Sequence, residues 1–442
     1  MTKDLTQGNL IKNIFIFALP FLFSYFLQTL YGMADLFIVG QYNEASSISG
    51  VSIGSQIMHM LTVMLVGICM GTIVMIGRNV GSHNEKGISK TIGNSITLFA
   101  ILSIILVFLL LILLNPIVSL MQTPLEAMDE TKKYLLICFI GIPFIVAYNV
   151  ISSIFRGLGD SKTPMYFIII ACISNIALDY LFIGYFDLKA SGAAYGTVIA
   201  QAISVVCSLI SIRKRKLIQI KKEDLKLEKE YFQPILKNGI PVSLQDGLIQ
   251  ISFLIITMIA NRRGVEVSAA VGIVEKIISF LFLVPSSMLS TVSTIASQAI
   301  GANKKELARK VTFICIGVAF AFGIIVGILF QFIAENVINL FTTEANVITL
   351  GASYIHSYVF DCAIAGIHFC FSGFYVASGY SKISFIQNIL SIILVRVPGA
   401  YLASIYFPNI LFPMGLAAPL GGVLQVLICV IFFIYLRKQA KI

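Results

Sequence analysis

The chain has 442 residues, of which 58% are hydrophobic and only 12% are charged. A soluble protein carries about 25% charged residues, so this composition excludes a soluble domain and indicates a polytopic membrane protein. The formal net charge of +10 suggests nucleic-acid binding, but the placement of the basic residues argues against it. The eight cysteines all fall in apolar runs without a CxxC pair, and we expect them to be packing residues rather than disulfides or metal ligands.

Apolar runs of the roughly 20 residues needed to cross a bilayer occur twelve times. They lie near 11–39, 48–78, 91–115, 134–156, 163–185, 190–212, 235–260, 267–298, 311–333, 346–376, 383–406 and 412–436. The first run is too long for the apolar core of a signal peptide, so we expect it to remain as a helix. The sequence therefore predicts an all-α integral membrane protein with twelve transmembrane helices.

Lysine and arginine sort by side of this predicted membrane. With the amino terminus inside, 24 of the 31 fall in inside segments and 5 in outside loops, while Lys276 and Arg396 are expected to be buried. This bias follows the positive-inside rule and predicts cytoplasmic termini at both ends of a multi-pass protein. The basic surplus is thus a topology signal and requires no nucleic acid as a partner.

The two halves of the chain repeat at an offset of 220 or 221 residues. Pro20 pairs with Pro241, and Gly81 in NVGSHNEK pairs with Gly301 in AIGANKKE. A third pair is FRGLGDSKTP (155–164) with YVASGYSKIS (375–384). Three anchors whose offsets agree within one residue indicate an internal duplication.

Each half holds six spans, an even number, so both halves insert in the same sense. We expect two six-helix lobes, 1–212 and 235–442, related by a parallel pseudo-two-fold repeat with a central cavity between them. A charged cytoplasmic linker, 213–234, joins them. Such a charged run is most often a solvated connection, and alternatively a basic element that binds anionic lipid.

Two carboxylates lie inside apolar runs of the amino-terminal lobe. Asp35 is in the first run, and Asp179 follows Asn175 by four residues in NIALDYLFI, so on a helix these two side chains share one face. A carboxylate at hydrocarbon depth is costly and usually marks an ion or substrate pathway. Thr197, in GAAYGTVIAQ on the next span, can add a hydroxyl group.

This set of side chains predicts an ion-coupling site. Asp35, Asn175, Asp179 and Thr197 supply the oxygen ligands that a hard cation such as sodium prefers. Alternatively, two clustered carboxylates repel each other in a low dielectric, so that the pair carries a proton. A purely structural role, in which Asn175 and Asp179 cap a helix end, is a third reading.

The carboxyl-terminal lobe has its own intramembrane acids, Asp246, Glu275 and Asp361, which are second-lobe candidates for the same work. Lys276 and Arg396 could instead neutralise them structurally. Five acids against two bases leave the predicted interior three charges negative, which favours cationic substrates.

Pro20 lies inside the first span, fifteen residues before Asp35. A proline there removes a backbone hydrogen bond and permits a kink. We expect this kink to respond to the charge state of Asp35; an ordinary static kink is the alternative.

Several of these segments together resemble one family. The FRGLGDSKTP turn, the Leu-Asp pair on the next span, the GAAYGTVIAQ segment and the Gly-Ala-Asn turn at 301–303 are similar to the multidrug and toxic compound extrusion (MATE) family, over essentially the whole chain. The resemblance implies an antiporter in a prokaryotic plasma membrane that expels organic, often cationic compounds against a sodium or proton gradient. It implies an ion site at Asp35, Asn175, Asp179 and Thr197, and a bend at Pro20. The family often has proline after the Leu-Asp pair, where this chain has Tyr180.

The predicted function is therefore cation-coupled export of small organic, cationic amphipathic compounds by alternating access. We expect no enzymatic activity, no cofactor apart from the coupling sodium ion or proton, the lipid bilayer as surroundings, and a monomer. The alternative is a flippase for lipid-linked saccharides of related architecture. That activity would favour a basic cavity for pyrophosphate, whereas the predicted interior is acidic.

Overall fold

The computed structural model describes residues 4–215 and 220–439, and these residues form helices without any β-strand. The predicted linker positions 216–219, and the lysines at 3, 216 and 441 that entered the topology argument, lie outside the described residues. The all-α fold class predicted from composition is confirmed.

Within residues 4–215, the first half of the chain forms seven α-helices. Their bounds are α1 Leu10–Tyr42, α2 Ala45–Gly81, α3 Glu85–Leu120, α4 Leu125–Ile140, α5 Ile142–Gly157, α6 Lys162–Asp179 and α7 Lys189–Arg215. A π-helical segment, Tyr180–Tyr185, directly follows α6. The segment between α7 and α8 contains one turn of 3-10 helix, Lys222–Leu225.

The described residues of the second half, up to 439, form nine α-helices. Their bounds are α8 Lys229–Asn261, α9 Val265–Leu281, α10 Leu283–Gly301, α11 Lys305–Asn339, α12 Ala345–Tyr358, α13 Asp361–Ser378, α14 Ser381–Ser391, α15 Val397–Tyr406 and α16 Phe412–Lys438. A second π-helical segment, Ile392–Arg396, separates α14 from α15.

The structure contains as many candidate spans as the sequence predicts. Eleven stretches of the described chain are long and apolar enough to cross a membrane, and α4 with α5, bent by 50° relative to each other, gives a twelfth. Several predicted single spans are nevertheless interrupted. The breaks near Gly141, near Phe282 and in the π-helical segment before α15 each precede a proline (Pro143, Pro285 and Pro398), which cannot donate a helical hydrogen bond.

Packing divides the chain into two compact units. The first holds Leu19–Gly239, and the second holds Leu5–Ala18 together with the chain from Ile240 onward. Helix α1 therefore contributes its first residues to the second unit and the rest to the first. Ile14 and Phe17 are completely buried in a cluster with Val292 and Phe374 of the second unit.

The paired turns found in the sequence have the same backbone conformation in each unit. His83 and Asn303, 220 residues apart, both adopt a left-handed conformation, with φ of 53° and 56°. Gly159 and Gly379, at the same offset, have φ of 86° and 87°. Positive φ is accessible to glycine without strain and to Asn or His at modest cost. The repeat is thus visible in local geometry as well as in sequence.

Part of the predicted linker lies against α3 rather than in solvent. Asn94 Oδ1 accepts a 2.7 Å hydrogen bond from the Glu228 backbone N–H, and Thr97 Oγ1 donates to the Leu225 carbonyl at 2.7 Å. Lys90 forms an ion pair with Glu228. This part of the linker thus packs on α3 through its backbone, while most of its side chains are exposed.

Candidate functional site

The end of α6 presents two polar side chains on one face, as their four-residue spacing predicts. Asn175 and Asp179 are 1% and 0% exposed, and Asp179 is the last residue of the regular α-helix. The π-helical segment begins at the next residue, Tyr180. The helix therefore departs from α-geometry directly after this acid, even though Tyr180 stands where the resemblance implies a proline. π-helical insertions often occur at functional sites.

Two other helices bring their predicted residues to the same place. Thr197 Oγ1 on α7 donates a 3.1 Å hydrogen bond to Asp35 Oδ2 on α1. The Asp35 carboxylate, only 2% exposed, interacts with Asp179 and Asn175 as well as with Thr197. The structure thus brings together all four residues proposed from the sequence, and all four belong to the first unit.

Most polar atoms of this cluster lack a hydrogen-bond partner. Within the described residues this holds for Asp35 Oδ1, for both Asp179 oxygens and for both amide atoms of Asn175. Buried polar groups are normally paired, and ionised carboxylates can only accept. Facing carboxylates therefore require a proton or a cation between them. The free atoms include four oxygens, the ligand type that a hard cation prefers.

No protein cation compensates these acids in the described part of the chain. The groups that act electrostatically on Asp35 and Asp179 include no lysine or arginine. The described residues also contain no group of three or more His, Cys, Asp or Glu side chains able to hold a metal. A site made of two acids, one amide and one hydroxyl is suited to sodium or to a proton rather than to a transition metal.

Two further residues lie beside this cluster and were not identified from the sequence. Gly196 lies against Asp179, and a Cβ at this position would overlap Asp179 Oδ1. Tyr31 lies one helical turn before Asp35, is close enough for the Asp35 carboxylate to act on it electrostatically, and accepts a 3.5 Å hydrogen bond from Gln201. The four-residue spacing of Tyr31 and Asp35 could have indicated this contact, whereas nothing in the sequence indicates the role of Gly196.

The second-lobe acids form a different kind of cluster. Glu275 Oε2 accepts a 3.2 Å hydrogen bond from Thr257, and both Glu275 and Asp361 are acted on by the positive charge of Arg396. Arg396 Nη2 in turn donates to the Tyr358 hydroxyl at 2.6 Å. These acids therefore have an internal counter-charge, which distinguishes them from Asp35 and Asp179.

Two details of the second lobe differ from the sequence prediction. Lys276 is exposed and not buried, so Arg396, 9% exposed, is the buried base of the predicted pair. Asp246 lies on α8 and is half-buried. The predicted surplus of three negative charges counted Lys276 as an interior base and no longer holds as stated.

Pro20 lies within α1, as predicted, two positions after the point where α1 passes from the second unit to the first. Its carbonyl accepts a 2.7 Å hydrogen bond from the Ser24 hydroxyl. Proline in a helix interior removes one backbone hydrogen bond, and hydroxyl back-bonding of this kind often accompanies a bend.

Comparison with known proteins places the chain in a family. The MatE family model matches it twice, over residues 20–181 and 241–402. The two matches begin 221 residues apart, which is the offset of the internal repeat. Members of this family are secondary transporters and not enzymes.

Individual relatives align with all or most of the chain. The chain is 26% identical over 450 residues to "Probable multidrug resistance protein YoeA" of Bacillus subtilis (strain 168), covering 100% of this chain and 97% of the relative. It is 27% identical to "Probable multidrug resistance protein YpnP" of the same organism, covering 89% and 88%. A crystal structure of a MATE protein in complex with MaL6 matches with a TM-score of 0.90 at 20% identity, over 99% and 98% of the two chains. The chain is thus a multi-span membrane protein that belongs to the MatE family of multidrug efflux transporters.

Proposed function

We propose that this transporter exchanges small organic cations for a coupling cation, sodium or a proton, which binds at Asp35, Asn175, Asp179 and Thr197. The observation that carries the proposal is the facing pair Asp35 and Asp179, whose oxygens have no protein cation and few donors. Two buried negative charges at one point are stable only when something positive joins them. The curated relatives carry names of multidrug resistance proteins, which supports a drug-like substrate.

The site joins three helices, and this gives the coupling a physical basis. Asp35 is on α1, Asp179 on α6 and Thr197 on α7. A cation or proton held between them favours the packing in which the three helices are close. Its loss leaves like charges that repel each other and favours a different packing. If an organic cation binds that second packing better, each ligand weakens the other by linkage.

Alternating access then follows as a two-state exchange. The coupling cation stabilises one arrangement of the first unit, and the organic cation stabilises the other. Only the two ligand-bound states interconvert productively, so that inward movement of the coupling cation expels the drug. The basic loops suggest that this happens in a plasma membrane with both termini in the cytoplasm.

The test is transport in proteoliposomes loaded with a fluorescent cationic dye. A sodium gradient alone and a pH gradient alone are imposed in separate experiments. Asp35→Asn and Asp179→Asn are compared with the wild type, and Asp129→Asn, which removes an exposed acid paired with Lys133, is the matched control. Correct insertion is checked by size-exclusion chromatography of each variant.

We expect the dye to move under one gradient, and both site variants to lose this movement while Asp129→Asn keeps it. Transport driven by sodium alone makes the four residues a cation site, and transport driven by pH alone makes them a proton-sharing pair. Full dye export by both site variants would refute the assignment of coupling to these residues.

A further inference from the structure

A cavity of about 730 Å³ lies at one end of the second unit, where the beginnings of α1 and α11 approach the end of α16. Three basic side chains line it, Arg309, Lys310 and Arg437, together with the single carboxylate of Glu306. Neither the ion site nor the second-lobe acids contribute to its lining. The cavity is therefore separate from the proposed transport chemistry.

The lining has an excess of positive charge. Arg309 forms an ion pair with Glu306, which accounts for one cation and the only carboxylate. Among the described residues, Lys310 and Arg437 have no ion-pair partner, and Arg309 Nε has no hydrogen-bond acceptor. The cavity consequently presents two uncompensated positive charges, and an anion is the complementary ligand.

Apart from the amide of Asn9, the rest of the lining is an apolar wall. It consists of Leu10, Ile11, Phe313, Ile314 and Phe433. Phe313 is 50% exposed and packs edge-to-face on Phe433, with ring centroids 5.6 Å apart. A free inorganic anion would use the cationic rim alone. A ligand with an anionic head and a hydrocarbon tail would use the rim and the wall together.

The position of the cavity along the helices matches such an amphiphile. Arg309 and Lys310 lie in the first two turns of α11, and Arg437 lies in the last turn of α16. Helix ends of this kind lie at the depth of lipid headgroups, where basic pockets between spans hold anionic lipids. All three residues also lie on the side that carries the basic loops of the sequence.

We propose that this cavity binds an anionic phospholipid, with its phosphate against Lys310 and Arg437 and its first acyl carbons against Phe313. The lipid would tie the amino-terminal segment of the chain, through Leu10 and Ile11, to α11 and α16. The occupant is the lipid and not free phosphate, because free phosphate would leave the apolar half of the lining without an apolar group to contact.

Native mass spectrometry of the purified full-length protein tests this directly. The protein is exposed to phosphatidylglycerol or to phosphatidylcholine with identical acyl chains, and retained lipid is counted. The variant is the double substitution Lys310→Gln with Arg437→Gln. The matched control is Lys86→Gln with Lys382→Gln, which removes the same charge from exposed positions outside the cavity.

We expect the wild type and the control to retain phosphatidylglycerol in preference to phosphatidylcholine. The cavity variant should bind phosphatidylglycerol roughly 20- to 30-fold more weakly, from about fivefold for each basic residue near a lipid surface. Arg437→Gln alone, at an exposed position, gives a milder change that keeps the test valid if the double variant unfolds. Equal retention of both lipids by the wild type, or an equal loss in the control, would overturn the proposal.

Competition distinguishes the lipid from a free anion. Phosphatidylglycerol should remain bound in the presence of equimolar inorganic phosphate, because phosphate cannot replace the apolar contacts. Displacement by phosphate at that ratio would overturn the assignment of a lipid.

Discussion

Gly196 on α7 faces Asp179 on α6 so closely that a Cβ at position 196 would overlap the carboxylate oxygen Oδ1 and lie 3.6 Å from Asn175 Nδ2. The missing side chain leaves room for the acid directly beside Thr197, the residue that donates to Asp35. The glycine is needed here for close approach and not for an unusual backbone conformation, since it lies within a regular helix.

Replacing Gly196 by alanine should therefore displace the Asp179 carboxylate. We expect the cation concentration for half-maximal dye transport to rise about tenfold or more, which corresponds to about 1.4 kcal/mol. Gly317→Ala on α11 adds the same methyl group to open space and should leave transport unchanged. If Gly196→Ala leaves the cation concentration for half-maximal transport unchanged, the close approach of Gly196 to Asp179 does not matter for cation binding.

Thr197→Val should weaken coupling without altering the shape of the site. The substitution removes the 3.1 Å hydrogen bond to Asp35 Oδ2, and hydrogen bonds to charged groups contribute about 1.5–3 kcal/mol. We expect the cation concentration for half-maximal dye transport in proteoliposomes to rise roughly 10- to 100-fold.

Thr197→Ser keeps the hydroxyl group and serves as the control, with near wild-type behaviour expected. A loss in the serine variant as large as that in the valine variant would show that a hydroxyl group alone does not restore the site, and would contradict the assignment of the effect to the hydrogen bond with Asp35.

The sequence was sufficient to select the four residues that the structure brings together, because these residues are chemically unusual for their surroundings. Asp35 and Asp179 stand out as acids within apolar runs, and the four-residue spacing places Asn175 beside Asp179. Gly196 could not be identified from the sequence, because its role is to lack a side chain where α6 and α7 approach each other closely. The sequence does not give the distance between these helices. Lys276 was misplaced for a similar reason, since position within an apolar run does not fix which face of a helix points outward.

The fold was predictable to the level of spans and repeat, and less so within them. The paired turns around Gly159 and Gly379 followed from sequence because positive φ demands particular residues. The interruptions of predicted spans were less accessible, since a proline permits a break but tertiary packing decides its form: a 50° bend near Gly141 and a π-helical segment ahead of α15.

The part of the linker that packs on α3 should become accessible to protease when Asn94, which binds its backbone, is replaced. Asn94 Oδ1 accepts from Glu228 N–H and Asn94 Nδ2 donates to the Asp224 carbonyl at 3.4 Å. We expect Asn94→Ala to accelerate tryptic cleavage after Lys221 and Lys226, which are exposed side chains on a held backbone, because cleavage requires local release.

Ser103→Ala on the same helix removes a hydroxyl that bonds only within α3, and its cleavage rate should match the wild type. Equal rates in Asn94→Ala and the wild type would show that the remaining contacts suffice to hold the linker.

Arg396 should prove to be a stabilising counter-charge for the acids of the second unit. It is 9% exposed, donates to Tyr358 at 2.6 Å and lies 4.7 Å from the Phe253 ring centroid. Arg396→Gln leaves Glu275 and Asp361 without their positive neighbour. Because Arg396 acts on both acids across space and not through a direct ion pair, the cost should be smaller than the about 3–5 kcal/mol of a broken buried ion pair. We expect a clear fall in the thermal unfolding temperature measured in detergent.

A compensating substitution separates charge from packing. Asp361→Asn introduced into Arg396→Gln removes one of the acids left without a counter-charge, so part of the lost stability should return, a non-additivity expected of coupled residues. Arg262→Gln, at an exposed position beside α9, removes one arginine charge without this effect. If the double variant is no more stable than Arg396→Gln alone, Arg396 acts through its contacts with Tyr358 and Phe253, and the charge-balance account of the second-lobe acids fails.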